Sequence, residues 1–166
     1  MARPTADELR EHLAYEVHLL VWAAIRFRTT KSKDKMIFQD SALMHARNLL
    51  EFTKPTKPRF GWWIVDVGGP EPQDTDDYRA WNDFINANVT HLGDGRLRSV
   101  PWPVAKDEER LVNLSTFALK RIRDGLDPTS ADPHIAVLLE VARLGLDYLN
   151  DPSSPNIGAL ADLVGG

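Results

Sequence analysis

The sequence predicts an all-α fold, an antiparallel up-and-down bundle of about five helices. Apolar residues recur at steps of three and four along most of the chain, which is the helical period. Only residues 62–67 hint at the alternation of a strand, and that run is short. Most links between the helical segments are short as well. We therefore assign residues 1–152 to one bundle domain and residues 153–166 to a tail with a weak, short helix.

Composition limits the class of protein. Of the 166 residues, 43% are hydrophobic and 27% are charged, and there is no cysteine. This predicts a packed core and excludes disulfide scaffolds, iron–sulfur sites and thiolate zinc sites. The net charge of −4 gives no global attraction for nucleic acid. No secretory signal pattern or membrane-spanning apolar run is visible, so we expect a soluble cytoplasmic protein without membrane contact, metal or cofactor.

The first two helices are predicted over residues 5–28 and 34–52. Thr5 and Glu8 have the spacing of a capping box, which satisfies backbone N–H groups at a helix start. On the second helix, Ile37 is expected to point inward with the other apolar residues.

An irregular connection follows over residues 54–74, and Trp62 and Trp63 predict that it packs down. A third helix is predicted over 75–92 and a fourth over 104–123.

The fifth helix should begin after Asp132, a favoured capping residue, with Pro133 at its first position. Residues 135–149 are apolar on nearly every side, so this helix is expected at the centre of the bundle. A short last helix is predicted near 157–164.

In an up-and-down bundle, the end of the first helix, the start of the second and the end of the third meet at one pole. Cationic side chains collect there, and they are candidates for RNA binding with a steep salt dependence. These residues are Arg26, Arg28, Lys31, Lys33, Lys35, Arg96 and Arg98, with His91 beside them.

The histidines are the first candidates for chemistry. His12 and Glu16 are four residues apart and share a helix face; the interpretation is a surface pair, with metal ligation as the alternative. His134 is interpreted as an exposed first-turn residue.

His45 and Arg47 allow two interpretations. His45 is either half-buried and hydrogen-bonded, with Arg47 paired to Glu51 one turn on, or both line a polar groove between helices. His91 either interacts with the negative end of its own helix or acts as an acid or base near neutral pH.

Four features together resemble a group of small bacterial proteins that is similar to the HEPN superfamily. They are ALMHARNLLEF at 42–52, DDY at 76–78, VTHL at 89–92, and Arg96. The resemblance covers about residues 6–125. It implies a helical bundle and a homodimer, in a superfamily that includes RNases of toxin–antitoxin and phage-defence systems.

The catalytic motif of these RNases is an Arg followed a few residues later by a His. The resemblance makes His91 the motif histidine and Asn86 the adjoining polar residue of the groove. The motif Arg is absent, because Phe84 and Ile85 stand where it would fall.

Without that Arg, the phosphate-binding cation of a nuclease is missing, and Arg47, Arg79 or Arg96 would have to replace it in space. Three functions follow. The first is a non-catalytic or degenerate module that binds a protein partner. The second is a metal-independent RNase using His91, Arg47 and Arg96. The third is RNA binding by the basic pole.

Overall fold

This computed structural model describes residues 2–32, 34–59, 61–90, 109–153 and 156–164. The regular secondary structure in these ranges is all helical. No strand occurs in those ranges. The α-helices are α1 (Ala6–Thr29), α2 (Lys35–Phe52), α3 (Asp76–Ile85), α4 (Arg110–Arg123), α5 (Pro133–Asn150) and α6 (Asn156–Val164). A 3-10 helix spans Ile64–Val67 and a π-helix spans Asn86–Thr90.

Two predicted helix starts are confirmed. The Thr5 hydroxyl accepts from the Glu8 backbone N–H at 3.2 Å, and the Glu8 carboxylate accepts from the Thr5 N–H at 2.7 Å. At α5, the Asp132 carboxylate accepts from the His134 N–H at 2.8 Å, with Pro133 in the first turn. Both caps are set by neighbouring residues, so the sequence is enough to predict them.

Two segments differ from the prediction. The α-helical part of the third helix ends at Ile85, and the π-helix continues to Thr90. The stretch 62–67 contains a 3-10 helix in place of a strand. The predicted start of the fourth helix at Val104 lies outside the described residues, and α4 is described from Arg110.

The core surrounds α1, which packs against α2, α4, α5 and α6. The predicted central position of α5 is confirmed only in part: ten of its residues are buried, as its composition predicted, but α5 packs mainly against α1, α4 and α6, and α1 has the more central place. Gly145 allows the closest approach: a Cβ there would lie 2.7 Å from Val17 Cγ1 and 2.8 Å from Leu119 Cδ1. Within the described ranges, no helix has the length and apolarity needed to cross a membrane.

The prediction for Ile37 is wrong, because its side chain is 68% exposed. The buried face of α2 runs through Ala42, Leu43, Ala46 and Leu49. Ile37 lies roughly opposite this face at 100° per residue.

Candidate functional site: a groove and an apolar face

A groove of about 710 Å³ opens between α1, α2 and the segment that follows α2. Its apolar lining is Leu9, Leu13, Leu49, Phe52, Pro58 and Trp62, next to Gly61. Its polar lining is His12, Glu16, Arg47, Asn48, Glu51, Lys54 and Arg59.

A partly buried polar contact joins α1 to α2 beside the groove. His45 Nδ1 lies 2.7 Å from Glu16 Oε2, and the Asn48 amide donates to the same oxygen at 3.0 Å. The His45 and Glu16 side chains are only 10% and 24% exposed. The half-buried, hydrogen-bonded interpretation of His45 is confirmed. Sequence reasoning missed its partner, which lies 29 residues away.

The interpretation of His12 and Glu16 as a pair is wrong. Glu16 points to α2, as above, whereas the His12 ring packs edge-on against Trp62, with the centroids 5.1 Å apart. The described residues contain no group of three or more side chains that could hold a metal ion.

Hydrogen bonds fix the segment that forms the third wall of the groove. The Trp63 indole N–H donates to the Lys54 carbonyl at 2.8 Å, and Lys57 pairs with Asp66 at 2.7 Å. The Arg121 guanidinium donates to the Thr53 carbonyl at 3.0 Å. This segment therefore packs down, as its two tryptophans predicted.

The same guanidinium lies over the Tyr78 ring, 4.4 Å from its centroid. Burial lowers the pKa of Arg121 and raises the pKa of Tyr78. The contact ties α3 and α4 to the end of α2, where the groove begins.

One cation of the groove has no ion pair among the described residues. This is Arg47, which is exposed and lines the groove. Its predicted partner Glu51 instead pairs with Lys54 at 3.3 Å. The predicted Arg47–Glu51 pair is therefore not formed. Trp62 offers an indole N–H that makes no hydrogen bond within the described part of the chain.

A second surface, which we call the apolar face, lies along the seam between α1 and α2. All the large hydrophobic side chains that are exposed in the described ranges belong to these two helices: Tyr15, Met36, Ile37 and Met44. Edge-on ring contacts join the helices here, Tyr15 to His45 at 5.7 Å and Trp22 to Phe38 at 5.2 Å. We define the apolar face as Tyr15, Trp22, Ile37, Phe38 and Met44; Met36 lies on the far side of α2 from α1, about 160° around the helix from Phe38.

Opposite charges stand at the two ends of this face on α1. Glu11 precedes Tyr15 by one turn, and Arg26 follows Trp22 by one turn. Both are exposed, and neither makes an ion pair with a described residue. The Arg26 guanidinium lies 5.8 Å from the Trp22 ring centroid.

The basic pole carries less free charge than its sequence indicates. Lys35 is 9% exposed, and its ammonium lies 4.5 Å from the centroid of the Phe27 ring. Arg28 pairs with Glu109 at 3.4 Å. Arg26 and Lys31 are exposed. Four predicted members lie outside the described residues, namely Lys33, His91, Arg96 and Arg98.

The other predicted groove residue is Asn86. It begins the π-helix after α3, and this π-helix packs against α2. His45 lies on the side of α2 that meets α1.

The interpretation of His134 as an exposed residue is wrong, because its ring donates from Nε2 to the Pro4 carbonyl at 2.9 Å and its side chain is 12% exposed.

Comparison of the chain with protein-family models, curated proteins and solved structures gave no match. A fold alone does not imply an activity. The function therefore has to be argued from the groove and the apolar face themselves.

Proposed function

We propose that this chain is a non-catalytic interaction module with a HEPN-like antiparallel bundle, which acts in the cytoplasm as a homodimer. One observation carries the proposal: three of the four large hydrophobic side chains that are exposed in the described ranges, Tyr15, Ile37 and Met44, belong to the apolar face. Scattered apolar residues are normal on a protein surface, but a contiguous apolar patch marks an interaction site.

The arrangement of charge favours a second copy of the chain as the occupant. Glu11 and Arg26 stand at equal distances from the midpoint between Tyr15 and Trp22. A two-fold axis through that midpoint would bring Glu11 of one copy to Arg26 of the other, at both ends of the contact. Such self-complementarity is what an isologous dimer requires. Complementary charges would fix its orientation.

The contacts between α1 and α2 support the antiparallel part of the proposal. Tyr15 meets His45 near the end of α2, whereas Trp22 meets Phe38 near its start. As the chain advances along α1, its neighbours on α2 come from earlier positions.

Sedimentation equilibrium of the purified chain tests the dimer. We expect a dimer for the wild type, and a monomer for Met44→Glu and for Ile37→Glu, because both place a charge on the apolar face. Asn113→Glu is the matched control, since Asn113 is exposed on α4, and it should stay dimeric.

A charge exchange checks the orientation. Glu11→Arg and Arg26→Glu should each weaken the dimer, and the double variant should restore much of it. A wild-type monomer at millimolar concentration would overturn the proposal and leave a different protein as the occupant of the face.

The two alternatives, a metal-independent RNase and RNA binding by the basic pole, depend on cationic residues. The burial of Lys35 and the pairing of Arg28 reduce what the described residues offer to RNA. Metal-free incubation with mixed cellular RNA separates these functions. If the wild type cleaves RNA and His91→Ala does not, the chain is a nuclease and the proposal of a non-catalytic module is wrong.

A further inference from the structure

We infer that the groove is a binding site for a small carboxylic acid with a flat aromatic body. This ligand site is additional to the dimer contact, and the groove shares no residue with the apolar face. The size, the lining and the charge of the groove each support the inference.

The groove has the size of a small-molecule site. Its volume of about 710 Å³ falls inside the range of roughly 300–1,000 Å³ that is typical of ligand pockets. A body of one or two rings fits such a space, whereas a folded protein segment would extend beyond it.

The lining matches an apolar, flat body. Leu9, Leu13, Leu49 and Phe52 are buried residues that contribute to the groove surface. Trp62 provides an aromatic wall, which His12 supports edge-on. Apolar and aromatic walls with a few polar groups are typical of ligand sites, because burial of the body supplies affinity and the polar groups set orientation.

The charge of the groove points to an anionic head group. Both lining carboxylates are already engaged, Glu16 by His45 and Asn48, and Glu51 by Lys54. Lys54 and Arg59 interact with protein groups too. Arg47 is therefore the guanidinium left for a ligand, and its planar fork matches a carboxylate in a bidentate pair. A single cation suits the single charge of a carboxylate better than a doubly charged phosphate.

The test uses naphthoate as the probe and the NMR signal of the Trp62 indole N–H as the reporter, assigned by its loss in Trp62→Phe. We expect saturable movement of this signal as naphthoate is added to the wild type. Arg47→Met should weaken binding by roughly tenfold, the effect of one hydrogen-bonded charge at a partly exposed site. Arg143→Met is the matched control, because Arg143 is an exposed arginine on α5 outside the groove, and it should bind like the wild type.

Two further probes separate the alternatives. Naphthylmethanol has the same rings without the charge, and it should bind more weakly than naphthoate. An acetylated Ala-Ala-Ala-Ala-Trp peptide carries an aromatic ring and a carboxylate at the end of a short chain, and it should also bind more weakly than naphthoate.

The inference is overturned if naphthoate leaves the Trp62 signal unchanged, or if Arg47→Met binds naphthoate as tightly as the wild type does. It is also overturned if the wild type binds naphthylmethanol as tightly as naphthoate, or the peptide more tightly. Repeating the titration on monomeric Ile37→Glu, whose new carboxylate is ten residues from Arg47, keeps this result apart from that on the dimer. The groove should bind naphthoate with the same affinity in both oligomeric states.

Discussion

Helix α1 makes two contacts of different chemistry with its neighbours α5 and α2. Against α5 the contact is mainly apolar and close, and Gly145 leaves room for Val17 of α1 and for Leu119 of the adjoining α4; the ion pair of this contact, Arg10 to Glu140 at 3.7 Å, is partly exposed. Against α2 the contact includes a polar group, the Glu16 carboxylate that meets His45 and Asn48. One side of the helix thus relies mainly on shape and the other partly on hydrogen bonding.

The difference separates the contacts that stabilise the fold from the contact that aligns α1 against α2. Apolar packing is distributed over many side chains, and it accounts for most of the free energy of unfolding. A buried polar contact adds little net stability when it is complete, but it penalises arrangements in which its groups are unpaired. Glu16 therefore favours one alignment of α1 against α2, and with it the shape of the groove.

The largest expected effect comes from the apolar contact. Leu119 is fully buried, so Leu119→Ala should lower the free energy of unfolding by about 2–5 kcal/mol, through lost transfer free energy and a cavity. Urea unfolding followed by circular dichroism measures the change. A loss no larger than that of an exposed substitution such as Lys120→Ala would mean that shape does not dominate the contact in which α1, α4 and α5 meet.

The same contact allows a coupling measurement within this prediction. Gly145→Ala adds a methyl group where Val17 and Leu119 leave no space, and overpacking typically costs about 1–3 kcal/mol. Since Leu119→Ala removes one of the obstructing side chains, the double variant should lose less than the sum of the single losses. Strict additivity would contradict the close approach.

The polar contact gives an intermediate effect. Glu16→Ala leaves the buried His45 without its partner, which should cost about 1–3 kcal/mol of unfolding free energy. Glu16→Gln retains an oxygen acceptor and should cost less. Glu71→Gln is the control, since Glu71 is exposed and lies outside the apolar face, and it should leave unfolding of the chain nearly unchanged. Equal losses in Glu16→Ala and Glu71→Gln would remove the distinction between the two sides of α1.

The fold could be predicted where the signals are local. The capping box at Thr5, the cap at Asp132 and the apolar run of α5 all involve residues close in sequence, whose side chains or periodicity specify the element. Most helix bounds could be predicted for this reason. The π-helix could not be predicted, because nothing in the sequence pattern of 86–90 distinguishes it from a continued α-helix.

The site could be predicted only in part, because it depends on contacts between distant residues. The sequence marked His45 as half-buried, but not that Glu16 is its partner. A usable signal existed, since a half-buried His45 requires a hydrogen-bond partner and a neighbouring helix can supply it. Ile37 shows a second limit of the sequence. Its apolar character does not distinguish a core residue from a residue on an exposed face.

The smallest effect concerns a contact that is local and exposed, the cap of α5. Hydrogen bonds from the backbone N–H and the side chain of His134 lower the pKa of Asp132, and Arg3 adds to the effect. Because the pKa is lower in the folded state, the stabilisation is present above the pKa of the unfolded chain and is lost as the pH falls through the folded pKa. Asp132→Asn, which keeps an oxygen for the cap but does not titrate, should be less stable than the wild type at neutral pH.

Urea unfolding of both proteins between neutral pH and about pH 2 measures this difference. We expect the two curves of stability against pH to converge in acid, where the wild-type carboxyl is protonated. Asp162→Asn, an exposed aspartate on α6, is the control and should parallel the wild type at every pH. A gap between wild type and Asp132→Asn that stays constant down to the lowest pH would show that the cap works through shape alone. The cap at the start of α5 would then depend on geometry rather than on charge.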